Sequence, residues 1–419
     1  MSRSFNLRYT YFLAIVLLLT GCNGNTENNQ AIENGAPAAF MISTPGLAAS
    51  CPYLTKDHKG NIVLSWVQAT DTTGNYLMAY AVSEDGGESF REPSLIPETR
   101  GVYPHDENLS KILFRPNGDI ITMFAVSNPN EKNQYAGLVN YTQSFDGGKS
   151  WTAPKQLSEN AANSIDERYF DLELLPDGEV AAIWLDSRKD TEKEGSSLYF
   201  ASTSGRDGFV GEKVIDRHLC QCCRTDLYLD AQQKLHVAYR GILNDSIRDM
   251  MYLLSADGGK SFSKPERISA DNWVIMGCPH TGPTITSNQN GTHYAWFTMG
   301  GGSGVYYSQK QGDKPFAPRQ AISQAPGAKH PQMVSFGEGK LAVVWDERNT
   351  QATDIRNRVG LQLRNEKGEH LNTSFLTPDT VSAHYPVIIP ASDKQLLVAY
   401  SVKKDGPGEV WYRRIQANK

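Results

Sequence analysis

The chain has 419 residues, a formal net charge of −5 and 21% charged residues. That balance supplies no basic face for a phosphate backbone, so nucleic acid is excluded as the main partner. With 36 glycines, 21 prolines, 19 tyrosines and few long helical patterns, the composition predicts one large all-β repeat domain rather than two ordinary domains.

Arg3 and Arg8 precede a short apolar run, Phe12–Leu19, followed by small residues and Cys22. This order predicts a secretory signal peptide over residues 1–21. The run is too short for a comfortable transmembrane helix. Leu19-Thr20-Gly21-Cys22 resembles the bacterial lipobox, which implies a lipid on Cys22; an ordinary signal peptide with an incidental cysteine is the other reading. Residues 22–37 are polar and Asn-rich, as a flexible tether is, and residues 38–419 form the domain. A lipid anchor would hold the protein on a membrane of the bacterial envelope without spanning it. Asn23, rather than Asp, after the anchor favours the outer membrane over the inner.

Seven segments then repeat one plan of an apolar strand, a Gly-bearing turn and a second strand rich in Val, Ala and Trp. They start near Cys51, His105, Arg168, Cys223, Cys278, His330 and His384. Their second strands are predicted at Ile62–Trp66, Ile120–Phe124, Val180–Trp184, Leu235–Tyr239, His293–Phe297, Leu341–Trp345 and Gln395–Tyr400. In three units a third strand leads into Ser-x-Asp-x-Gly-x-Ser-aromatic, at Ser83–Phe90, Ser144–Trp151 and Ser255–Phe262. Each of Asp85, Asp146 and Asp257 can accept backbone N–H groups across a tight turn, and the glycines supply positive φ. These turns resemble the Asp-box of sialidase-like (BNR-repeat) β-propellers, and the resemblance covers most of the chain after the leader. It implies a single propeller of four-stranded blades. Seven blades fit the repeats best, with six, the usual sialidase number, as the alternative. The last unit lacks a fourth strand, which Ala39–Ser43 would supply beside Val410–Ile415, closing the ring and removing its edges.

In such a ring the first-strand starts and second-strand ends share one face, and every Asp-box lies on the other. The mouth face collects Cys51, His105, Arg168, Arg188, Cys220, Cys222, Cys223, Arg224, Arg240, Cys278, His280, His330, Arg348 and His384. All five cysteines beyond the leader fall there, an odd number that leaves at least one thiol unpaired. Two disulfides with one free thiol suit an exported protein, whereas thiolates with imidazoles suit copper or zinc. Consecutive blades are neighbours, so Cys220, Cys222, Cys223 and Cys278 are expected in one sulfur cluster, as a disulfide or metal site, with His280 facing it. Cys51, farther round, joins only across a narrow funnel.

The sialidase resemblance also implies a hydrolase reading, with arginines on a substrate carboxylate and a Tyr–Glu nucleophile pair. The candidates are Arg168, Arg224, Arg240, Asp226 and Tyr385, with Asp106, Glu107 and Asp346 nearby. The family's Phe-Arg-Ile-Pro stretch is absent near the domain start; Phe114-Arg115-Pro116 follows a strand as a turn. Cys-x-Cys-Cys-x-Thr, Asp271-Asn272-Trp273 with Gly277-Cys278-Pro279, and Ala295-Trp296-Phe297-Thr298 are similar to a subgroup of exported bacterial BNR propellers. Three functions remain open: a lipoprotein binding a ligand or soft metal at a Cys/His-rich mouth, a glycan-active hydrolase of sialidase type, and a disulfide-braced scaffold. The partners expected are the membrane, through the lipid anchor, and a glycan, metal or protein ligand.

Overall fold

Seven four-stranded antiparallel sheets are arranged as the blades of a β-propeller. The computed structural model describes residue 1 and residues 38–160, 162–189, 195–351, 354–403 and 406–417. The expected leader and tether, with Cys22, lie outside the described residues. Numbered by first strand, blades 1 to 7 begin with Ala49–Lys56, Lys111–Phe114, Ser164–Leu174, Asp226–Leu229, Thr284–Asn288, Lys329–Phe336 and Ser382–Ser392. Blades 1 to 6 are simple meanders in sequence order.

The second strands explain why the ring is stable. Each is pressed between neighbouring sheets and reads as a nearly continuous apolar run; Ile62–Ala69 is buried along its whole length. Each run carries a buried aromatic toward its C-terminal end: Trp66, Phe124, Trp184, Tyr239, Trp296, Trp345 and Tyr400, none more than 2% exposed. Burial of one such side chain stabilises the fold by about 2–3 kcal/mol relative to exposure. All seven lie within the predicted second strands.

Closure occurs as the sequence predicts. Ala39–Met41 pairs antiparallel with Glu409–Gln416, aligning Ala39 with Arg413 and Met41 with Trp411. Ile42 N–H donates to Val410 O at 3.0 Å, and Phe40 packs on Tyr412 with ring centroids 5.6 Å apart.

The three Asp-boxes join third to fourth strands of blades 1, 2 and 4. In the second, Ser144 Oγ donates to Asp146 Oδ1 at 2.9 Å, and the Ser150 hydroxyl donates to Oδ2 at 2.6 Å. The hydroxyl and amide of Ser150, then the Ser144 hydroxyl, hold the Asp146 carboxyl down at about 2. Asp85 and Asp257 make the same bonds. The closing aromatics reach the preceding blade: Phe90 packs edge-on against Tyr412, and Phe262 against Phe200.

The blade starts need partial correction. Cys51, Arg168, His330 and His384 lie within first strands, but His105, Cys223 and Cys278 lie in loops ahead of strands that begin at Lys111, Asp226 and Thr284. Pro104 and Pro279 cannot donate to a ladder, and the Cys220 amide donates to Arg240 O, 3.0 Å away, starting a turn instead of a first strand. Four first strands share a feature that spacing does not reveal. Cys51, Tyr169, His330 and Tyr385 take φ between 51° and 59°, each where the ladder register slips. A bulge of this kind re-aims a side chain at the rim of a barrel or propeller.

Candidate functional site

Side chains from four blades meet at the axis. Glu107 comes from the loop before blade 2, Arg224 from the loop before blade 4, His330 and Asp346 from blade 6, and Tyr385 from blade 7. Glu107 Oε2 lies 3.1 Å from Arg224 Nε, and its Oε1 lies 3.2 Å from His330 Nε2. His330 Nδ1 is 2.9 Å from Asp346, whose Oδ2 accepts the Tyr385 amide at 2.8 Å. The His330 and Tyr385 rings stack 4.1 Å apart. One imidazole thus bridges two carboxylates, both buried to 1% exposure.

Burial raises Glu107 from 4.5 to about 7, although Arg224 and His330 pull the other way. Tyr385 is pushed up by burial and then by the carboxylates of Glu107, Asp106 and Asp346. Both Glu107 oxygens, Arg224 Nε and Nη2, Arg168 Nη2 and the Tyr169 hydroxyl are buried without an aligned hydrogen bond. The Glu107 oxygens and Arg224 Nε are held by their ion pairs alone, and buried polar groups are normally hydrogen-bonded, so this convergence makes the axis a candidate site for a polar ligand. Beside it, Tyr103, His105, Asn108, Tyr135, Arg168 and Tyr169 line a cavity of about 70 Å³.

The thiols adjoin this centre between blades 3 and 4. Cys220, Cys222 and Cys223 are 1%, 5% and 1% exposed, and their sulfurs all lie within 4.8 Å of one another. Cys220 Sγ is 3.4 Å from Cys222 Sγ and 3.9 Å from Cys223 Sγ. Sulfurs each about 2.3 Å from one metal ion stand roughly 3.8–4.0 Å apart in tetrahedral or trigonal geometry, so the spacing fits coordination with little movement. Arg240 Nε donates to Cys223 Sγ at 3.3 Å. The same guanidinium is 1% exposed, bonds the carbonyls of Arg248 and Phe297, and lies 5.0 Å from the Trp273 ring centroid. No carboxylate pairs with it among the described residues, so the nearby sulfurs are its natural counter-charge. Hydrogen bonds from Cys222 and Cys223, then the charge of Arg240, hold the Cys220 thiol well below its ordinary range. Cys222 is pushed up by its bond to Cys220, and Cys223 by burial. Tyr169 is pushed up by burial, against the pull of Arg168, and packs in the same core cluster as the three thiols.

The other expected residues divide clearly. Cys278 is exposed and stands outside the group of three, because its loop runs outward to solvent. His280 is exposed too, and its ring lies 6.4 Å from that of His105. Cys51 is buried in the core between blades 1 and 2, with its amide donating to Asp106. Of the hydrolase candidates, Arg224 and Tyr385 reach the axis, and Arg168 lies at the side cavity, paired with Asp166. Arg240 is spent on carbonyls and sulfur, and Asp226 accepts the Ile285 amide at 2.6 Å, joining adjacent first strands. Arg188 is bound to Asp186 and Glu212 against the Tyr199 ring. His384 contacts Asn357 and Ser382, and Arg348 is exposed. Tyr169 was not foreseen: its signal is a bulge, which no residue type announces.

The sequence matches the family model of the BNR repeat-like domain over residues 104–398. No curated protein matches it. Among solved structures it resembles polysaccharide lyase Uly1, with TM-score 0.54 and 11% identity over 90% of this chain and 91% of that one. A protein of unknown function from Dyadobacter fermentans gives TM-score 0.51 and 13% identity over 91% and 98% of the two chains. The Hadza microbial sialidase Hz136 gives 0.50 and 10% over 90% and 68%. At these identities the likeness is one of fold.

Proposed function

The chain belongs to the BNR repeat-like domain family, and we propose that it is an envelope-anchored propeller that binds a soft metal ion, Cu(I), through Cys220, Cys222 and Cys223. One observation carries the reading: three buried thiols at coordination spacing beside a buried guanidinium that has no carboxylate partner among the described residues. Soft thiolates select Cu(I) or zinc, and a fold alone assigns neither. Cu(I) suits three sulfurs, whereas structural zinc takes four ligands, and no His, Asp or Glu among the described residues joins this group. Arg240 would favour the anionic sulfurs that a metal requires. The lipid on Cys22 would hold the propeller at the membrane, with residues 22–37 as its tether.

The test is an anaerobic Cu(I) titration of the reduced full-length protein against bicinchoninate. The expected result is one tightly held Cu(I) per chain, lost in Cys222→Ser. Thiols that react only after a reductant is added, with no copper uptake once reduced, would mean a disulfide and end the reading. Tight zinc with weak Cu(I) would change the metal.

A second reading rests on the meeting of Glu107, Arg224 and Tyr385 at the axis, the residue types that the sialidase resemblance calls for. With a sialidase and a polysaccharide lyase among proteins of this fold, it makes the axis a site for an acidic glycan. Cleavage of a fluorogenic sialoside by metal-free protein would favour it over the first.

A further inference from the structure

The mouth carries a second group of soft donors, separate from the buried trio. Residues 274–280 read Val-Ile-Met-Gly-Cys-Pro-His. Met276 is 91% exposed, and Cys278 and His280 are exposed with it. Met299, 53% exposed, follows the second strand of blade 5, next to Gly300, which packs on the segment leading into this loop. An added Cβ at Gly300 would come within 2.3 Å of Asp271 O. One loop thus presents a thioether, a thiol and an imidazole to solvent at alternate positions, 276, 278 and 280, and Met299 adds a second exposed thioether beyond the segment that leads into it.

This loop is fixed at both ends, and both ends rest on the surroundings of the thiols. At one end the Trp273 amide donates to Asp249 Oδ1 at 3.0 Å, and the Trp273 ring covers Arg240, the donor to Cys223. At the other, Thr281 is fully buried, with its carbonyl 3.5 Å from Arg240 Nη2. Gly282 then packs directly against Arg224, next in sequence to Cys223. Across the mouth, His280 faces His105 of the loop before blade 2.

The trio is at most 5% exposed, so a metal-carrying partner has no direct path to its sulfurs. Cu(I) moves between thiolates by associative exchange, in which the incoming sulfur binds before the outgoing one leaves. A buried site therefore needs an accessible ligand at its rim. We propose that Met276, Cys278 and His280 form the entry port through which Cu(I) reaches Cys220, Cys222 and Cys223. The proposal rests on the Cu(I) reading of the trio. In the first step the Cys278 sulfur forms a bond to Cu(I) held by a thiolate carrier, and the carrier's Cu–S bond breaks. The proton released by Cys278 passes to the departing carrier thiolate. In the second step a sulfur of the trio replaces Cys278, which recovers a proton from the accepting thiol. Copper stays in the +1 state throughout, so no oxidant or reductant takes part. Met276 and His280 fill the coordination sphere while the ion is at the rim.

The experiment measures the rate and the extent of Cu(I) transfer from its glutathione complex to reduced full-length protein, anaerobically, by stopped flow. Cys278→Ser is expected to slow transfer on the order of tenfold or more, because exchange rates follow access to the attacking thiolate. Met276→Leu keeps the side-chain volume and is expected to slow it less. Both variants should reach the wild-type endpoint of one Cu(I) per chain with unchanged affinity. Wild-type protein that takes up no Cu(I) would defeat the reading of the trio and the port with it. Wild-type protein that loads, with both variants loading at its rate, would overturn the port and leave the trio standing. A Cys278→Ser variant with weaker affinity and an unchanged rate would make Cys278 a resident ligand, which also overturns the port.

Discussion

Replacing Glu107 with glutamine preserves the shape of the axial side chain and removes its proton equilibrium. Burial raises this carboxyl from 4.5 to about 7 against the pull of Arg224 and His330, so between those values the folded protein holds a proton that the unfolded chain releases. Its contribution to stability is complete below the unfolded value of 4.5 and is lost as the pH rises through 7. At roughly 1.4 kcal/mol per pH unit, the gap amounts to about 3 kcal/mol. The side chain is only 1% exposed, so solvent screening removes little of this. Stability measured by urea unfolding, followed by tryptophan fluorescence from about pH 4 to about pH 8, should therefore fall less in Glu107→Gln than in the wild type, by about 3 kcal/mol over the range. Glu167 and Glu173 are also raised to about 7 by burial, but they are present in both proteins and cancel. Parallel pH profiles for the two proteins would refute the reasoning, since they would mean that Glu107 is already ionised at acidic pH.

The third Asp-box offers an internal control. Gly258 and Gly259 have φ of +71° and +86°, but a Cβ on Gly258 would meet nothing, whereas one on Gly259 would lie 2.1 Å from the Phe200 ring. Gly258→Ala should cost about 1–2 kcal/mol from backbone strain alone, and Gly259→Ala about 2 kcal/mol more through displacement of the Phe200–Phe262 pair. Equal shifts in the urea midpoint would show that inter-blade packing at the box is unimportant. Cys22→Ser should move the protein from the membrane fraction to the soluble fraction or block its processing, and unchanged membrane retention would rule out the lipid anchor.

The Asp-boxes and second strands were legible because their physics is local. A carboxylate in a Gly-Gly turn and an apolar run with an aromatic toward its end each declare one conformation. Seven units were countable for the same reason. The strand starts were less legible, since Cys223 and Cys278 lie in loops whose course is set by packing on the adjacent blade. Proximity of Cys220, Cys222 and Cys223 followed from their spacing, but the exposure of Cys278 did not, because the course of a loop is a matter of tertiary packing. Arg240 read as a substrate-binding cation because the sequence shows its charge and not the carbonyls of Arg248 and Phe297 that surround it. The left-handed residues of the first strands were invisible for a related reason. A bulge is a property of register between two strands, and Cys, Tyr and His do not advertise it.

The pairing of Ala39–Met41 with Glu409–Gln416 sets an order of events for the newborn chain. Ala39–Met41 is made ahead of the seven blades, and its partner only after the first six blades are complete. Until Glu409–Gln416 emerges, blade 7 lacks its third strand and Ala39–Met41 has no partner, so the ring cannot close. Loop-closure entropy grows only slowly with length, so the wait adds little to the equilibrium cost but delays the final step. During that interval Ala39–Met41 is an unpaired strand, open to the ladder of another chain.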